Sequence, residues 1–281
     1  MQRATTDTGV LATTNDSEAE GEGFPRLNQE GPLRRLLTTI RRPWLLRQYD
    51  RQQREEAAKE DLPQAQFEEL IRTAEDIAKI NPRGVFDLIK AVLRPLQSER
   101  LLAIALRGSV ADRIDSYWFF GDAVRGRLFT PDGMNFRGAR LDANDHILSL
   151  ASDTILPTPW SRLRYIDAMA TIGSAKEYDK IDRFPDSDFS WRQDCNHRIE
   201  LWMPWRIGFV ASGNHSIAAG ILAGEGSVMP DDVYDMSFLL DELSCDSRVF
   251  SSLDTKKIIS PTPDARIGAV FEMGRLVRGL L

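Results

Sequence analysis

Cysteine is scarce: Cys195 and Cys245 are the only two in 281 residues. So few cannot build the disulfide framework of a small secreted scaffold, and a reducing, cytoplasmic setting is expected, with one disulfide left open. No apolar run approaches the roughly 18 residues of a membrane span, and Met1 to Leu27 lacks the apolar core of a signal peptide. Both absences argue against membrane-spanning and exported topologies. The net charge of −6 and pI of 5.3 exclude the overall basic footprint of a dedicated nucleic-acid-binding domain. Aromatics are 9% of the chain, and no repeat of about 20 to 50 residues is visible. What remains is ordinary: 42% hydrophobic residues in a chain of this length can bury a core without disulfides or structural metals.

Charge divides the chain unevenly. Residues 1–32 carry six acidic and two basic side chains with almost no apolar periodicity, the composition of a disordered acidic tail. Leu33 to Arg54 reverses the sign, with Arg34, Arg35, Arg41, Arg42, Arg47, Arg51 and Arg54 against Asp50 alone. Leu33, Leu36, Leu37 and Ile40 lie on one face of a short helix, and Pro43 suits the first turn of a second. Such basic helices suit nucleic-acid phosphates (Arg34, Arg35, Arg41 and Arg42 as contacts), an anionic lipid surface, or an acidic face of a protein.

The pattern then turns helical through residue 145. Phe67, Leu70, Ile71, Ala74, Ile77 and Ala78 predict a helix from Pro63, stopped at Asn81-Pro82-Arg83-Gly84. The periodicity resumes from Val85 to Pro95, and Leu101 to Leu106 predicts more helix closed by Gly108. Residues 109–145, with an aromatic cluster and many glycines, read as one helix followed by loops. From 146 to 281 the chain reads as α+β. Ser161 caps a helix to Ile172, Ile199 to Met203 and Ile207 to Ser212 are strands, Ile217 to Ala223 is helical, Asp232 to Leu243 is a strand and a helix, and Ala265 to Leu281 is a terminal helix.

The segment Val210-Ala211-Ser212-Gly213-Asn214-His215-Ser216-Ile217-Ala218-Ala219-Gly220 is the one with chemical logic. A strand ends, a glycine permits a sharp turn, and a helix begins whose first amides and positive dipole end attract phosphate. Asn214 and His215 add side-chain donors, and Ser216 can cap the helix or touch an anion.

This segment resembles the ParB/sulfiredoxin superfamily, in which a strand leads to Gly-x-His-Arg and a helix of small residues. The upstream stretch Asp153-Thr154-Ile155-Leu156-Pro157-Thr158-Pro159-Trp160-Ser161-Arg162 is similar to the opening box of ParB-type domains. The resemblance covers about residues 145–245. It implies an N-terminal helical region followed by a ParB/sulfiredoxin-like domain with a small mixed sheet, in a bacterial or mobile-element protein. It places a nucleotide phosphate on Gly213, Asn214, His215 and Ser216, with Arg162 or Arg164 nearby; any catalysis there would be phosphoryl or phosphodiester chemistry at His215 and Asn214, with His215 as acid/base or phosphate donor and an acidic residue holding the Mg²⁺ that accompanies the nucleotide. Three departures stand out. Ser216 replaces the phosphate-gripping arginine, so Arg206 or Arg164 must supply that charge. Asn214 stands where sulfiredoxins have cysteine, so sulfinic-acid reduction is not expected. The Glu-Asn-x-x-Arg motif of CTP-hydrolysing partition proteins is missing.

Other constellations compete. Asp194, Cys195 and His197, with His215 or Cys245, contain zinc-type donors, but Cys-x-His lacks a second pair, and zinc is not expected. Cys195 with a histidine could be a nucleophilic pair, and Asp194 or Glu200 could form an acid/base couple with His215. His146 reads as a surface or core residue. Trp191, Trp202, Trp205 and Phe209 surround the turn in sequence; Trp202 and Phe209 are expected in the core, whereas Trp205, beside Pro204, is expected to contact ligand. The reading is a nucleotide- or phosphate-binding protein with a nucleotide hydrolase or nuclease-like activity open. The alternative is a non-enzymatic module that docks protein or DNA through its arginines, or forms a homo-oligomer.

Overall fold

A computed structural model describes residues 62–108, 114–176 and 189–280. The acidic tail and the Arg-rich stretch with Arg34, Arg35, Arg41 and Arg42 lie outside the described residues.

Helix α1 (Leu62–Ile80) ends at the predicted proline and glycine, and α2 begins at once (Gly84–Arg107). The sequence suggested a break at Pro95, yet α2 runs through it. Val85, Ile89, Leu93, Gln97, Leu101 and Ile104 form one buried stripe on both sides of the proline. An interior proline costs about 3 kcal/mol, while burying a leucine or isoleucine returns about 1.5–3 kcal/mol each, so the stripe wins. Gly108, left-handed at φ +76°, closes the helix with its N–H on the Ile104 carbonyl.

Two short helices follow, α3 (Ser116–Phe119) and α4 (Asp122–Arg125). The main sheet has five strands in the order β1-β7-β4-β5-β3, namely β1 (Ala139–Leu141), β3 (Thr154–Leu156), β4 (Arg198–Met203), β5 (Ile207–Ser212) and β7 (Asp232–Asp235). It is mixed: β3 lies parallel to β5, β4 antiparallel to β5 and parallel to β7, and β1 antiparallel to β7. The fold is therefore α+β. A two-stranded pair, β2 (Leu148–Ser149) and β6 (Ser227–Val228), stands beside it.

Alternation puts apolar side chains on both faces of the sheet. Ile199, Leu201 and Met203 of β4, with Ile155 and Val210, pack on α6 (Asn214–Ala223) through Ile217 and Ile221. Trp202, Ile207, Phe209 and Leu156 face the other way, into a core shared with α1, α2 and the terminal helix α8 (Ala265–Val277). A sheet covered on both sides needs near-continuous apolar strands, which is how β4 and β5 read. Between α7 (Phe238–Glu242) and α8 lies an antiparallel sheet of β8 (Leu243–Cys245), β9 (Val249–Ser252) and β10 (Ile258–Pro261). Its three- and four-residue, serine-rich strands carry too short a pattern for the sequence to announce. Among the described residues no helix is long and apolar enough to cross a membrane.

Candidate functional site

The end of β3 and the end of β5 meet beside one another, and each leads into a helix. After β3, Pro157 to Trp160 leads to Ser161, which caps α5 (Arg162–Thr171) by accepting from the Arg164 N–H at 3.5 Å. After β5, Gly213 turns the chain into α6 with φ +76°. A side chain there would be strained and would also collide, since a Cβ would lie 2.5 Å from His197 Cδ2 and 3.0 Å from the Asn196 carbonyl.

Asn214 and His215 fasten these two segments together. Asn214 is only 8% exposed, and its Oδ1 accepts the Thr158 N–H at 2.6 Å. That bond turns its amide nitrogen away from Thr158, and Nδ2 has no partner among the described residues. His215 Nε2 accepts the Ser161 N–H at 3.0 Å, so the ring proton resides on Nδ1, and Nδ1 likewise has no partner among the described residues. Burial first, then the Arg164 charge, holds the His215 pKa below its ordinary value. The imidazole is a fixed neutral donor, not a free base.

Between α5 and the first turn of α6 lies a cleft of about 470 Å³. One stripe of α5 and its entry, Trp160, Arg164, Asp167, Ala168 and Thr171, forms one wall, and Ser212 to Ser216 forms the other. Trp160 is 58% exposed; the Arg164 guanidinium lies 5.0 Å from its ring centre, and His215 meets it edge-on at 5.4 Å. The first amides of α6 have no intrahelical partner.

Gly213, Asn214, His215, Ser216 and Arg164 are thus brought together as the sequence suggests. Arg162 is exposed on α5 but outside the cleft lining. Arg206 is elsewhere: its Nε donates to Asp153 Oδ1 at 2.8 Å and its Nη2 to the Ile147 carbonyl at 3.1 Å. The expectation for Trp205 is overturned. It is 1% exposed, its Nε1 donates to the Phe271 carbonyl at 3.0 Å, and Phe120, Phe271 and the bare face of Gly274 enclose it. Apolar area won over turn position. Trp202 and Phe209 are in the core as expected, and Trp191 is buried in the core on the other face of the sheet, its Nε1 donating to the Ser216 carbonyl.

The acid/base partners considered for His215 are not at the cleft. Glu200 occupies a separate small hollow with Asp115, Ser116 and Tyr117, accepts from Trp202 Nε1, and burial raises its pKa. Asp194 instead serves His197, whose Nδ1 accepts the Asp194 N–H at 2.8 Å; burial lowers that imidazole's pKa. Cys195 is exposed, whereas Cys245 is buried on β8 with its thiol pushed up to about 12 by burial. Among the described residues no three His, Cys, Asp or Glu side chains gather as a metal ligand set.

Trp160, Asp167, Asn196 and Ser212 are cleft residues that the sequence reading did not select. Their signal was the helical spacing 160, 164, 167, 168, 171, one face of α5 with aromatic, cationic, anionic and small positions.

The profile of DUF6710, a family of unknown function, matches residues 48–280. No curated protein and no solved structure matches the chain.

Proposed function

The chain belongs to DUF6710, and we propose that it binds a phosphate-bearing small molecule of the nucleotide class in the cleft between α5 and α6. The observation that carries this reading is Asn214: a side chain nine-tenths buried, anchored at Oδ1, lining the cleft, with two amide protons lacking a partner among the described residues. No enclosed side-chain nitrogen or oxygen lacks a partner among the described residues, so the unbonded Nδ2 opens to the cleft, where it offers both protons to a bound anion. His215 Nδ1–H, the first amides of α6 and the Arg164 guanidinium are further donors on the same lining. Trp160 offers an aromatic face at the rim.

The reading is binding rather than turnover. Phosphoryl or phosphodiester chemistry needs a proton acceptor or a held divalent cation, whereas the lone pair of His215 Nε2 is engaged by Ser161. Asp167 is the carboxylate of the lining among the described residues. We therefore assign His215 and Asn214 as positioned donors.

Isothermal titration with inorganic phosphate and with AMP tests this. Asn214→Asp keeps the acceptor for Thr158 and adds a charge that the α6 dipole favours, so the fold should hold while affinity falls at least about tenfold from anion repulsion. Unchanged affinity in Asn214→Asp, or no binding by the wild type, overturns the proposal.

A second reading, protein docking, is favoured by exposed Leu102 and Leu106 on α2 and Leu163 and Ile166 on α5. Sedimentation of a Leu163→Asp, Ile166→Asp variant distinguishes it, since self-association would be lost with phosphate titration unchanged.

A further inference from the structure

We infer that the cleft is built for a ligand with one phosphate, a nucleoside monophosphate rather than a di- or triphosphate, and that Asp167 sets this selectivity. The inference rests on the phosphate site proposed above. Among the described residues the lining carries one guanidinium, Arg164, and one carboxylate, Asp167, which projects one turn further along the same stripe of α5. The other donors, Asn214 Nδ2, His215 Nδ1–H and the helix amides, are neutral. One phosphomonoester dianion can be satisfied by Arg164 and those neutral donors. A chain of two or three phosphates would extend its added charge along the cleft toward Asp167 without a second cation to meet it.

The base of a nucleotide has a place as well. Trp160 is more than half exposed and can stack a base, an interaction every nucleobase offers. Arg164 and Asp167 are about 4.5 Å apart along the helix axis, the scale of adjoining phosphate groups. The cleft of about 470 Å³ lies in the range that takes one small ligand.

The test is calorimetric titration of the full chain with AMP, ADP and ATP, and with CMP and CTP, each in EDTA and in Mg²⁺, for the wild type and Asp167→Asn. Asp167 is exposed on α5, and the Asp167 contact to Thr171 uses the backbone carbonyl, so the variant keeps the helix intact. Expected is a wild-type preference of about three- to tenfold for the monophosphates over the triphosphates in EDTA. In Asp167→Asn that ratio should shrink toward one because the triphosphates bind more tightly. Triphosphates binding as tightly as monophosphates in the wild type, with or without Mg²⁺, or a ratio unmoved by Asp167→Asn, overturns this inference while leaving phosphate binding in place. Absence of binding in every arm overturns the phosphate reading itself and this inference with it.

Discussion

Gly213 meets two demands with one hydrogen. Its φ of +76° is a left-handed conformation, and the space where a Cβ would stand holds His197 and the Asn196 carbonyl. Gly213→Ala must therefore accept backbone strain of about 1–3 kcal/mol and displace the imidazole besides. A loss of at least about 2 kcal/mol in urea unfolding is expected, and a loss under about 0.5 kcal/mol would contradict the crowding. The two imidazoles on either side of this turn make a second prediction. His197 and His215 both have pKa values held below the ordinary 6.5, chiefly by burial. Near and below that value the unfolded chain binds protons that the native chain does not, so stability rises with pH there, is fully present above about 6.5, and is lost on acidification. The thermal midpoint should fall between about pH 7.5 and pH 5.5, and His215→Gln should flatten part of that fall. A wild-type midpoint that rises on acidification contradicts the assignment.

At the scale of elements, α2 shows tertiary burial overruling a local rule. Pro95 is exposed and inside the helix, where it withholds one backbone donor from the ladder. Pro95→Ala restores that donor without touching the buried stripe, and should stabilise the protein by about 1–3 kcal/mol in chemical unfolding; a destabilised variant would mean that α2 needs its irregularity. The same contest explains what could be read from the sequence. The α1 stop, the Ser161 cap, β4, β5 and the turn into α6 were legible because propensity, period and packing agree there. Continuity through Pro95 was not, since periodicity on each side of a proline looks like two helices. The β8–β10 sheet was not, because three or four residues carry too little period. For the site, the Gly213–Ser216 turn and Arg164 were legible, but Trp205 was misplaced: adjacency in sequence to a turn says nothing about which face of a sheet the next side chain enters. The wall formed by α5 was written in its spacing, yet became meaningful only when β3 and β5 were known to be neighbours.

On the scale of the whole molecule, the mixed sheet has a core on each face, and its parallel pair β3 and β5 delivers two helix starts to the same end. Ligand sites in open α/β sheets favour the region beyond the carboxyl ends of strands, and the cleft is found there. Asn214 and His215 hold its two walls in register through Thr158 and Ser161, which is why these side chains have a structural duty and a spare donor at once. Asn214→Ala should show the first of these, losing the buried acceptor of Thr158 at a cost of about 1–3 kcal/mol in unfolding free energy; a neutral substitution would mean that water replaces it.

The most direct measurement is a ¹H–¹⁵N spectrum of the protein titrated with AMP. Shifts should saturate at the backbone amides of Asn214, His215 and Ser216, at the Asn214 side-chain amide and at the Trp160 indole, while the indole of Trp205 stays still. Saturating shifts that spare the Asn214 side-chain amide, or no shifts at millimolar ligand, would contradict the account.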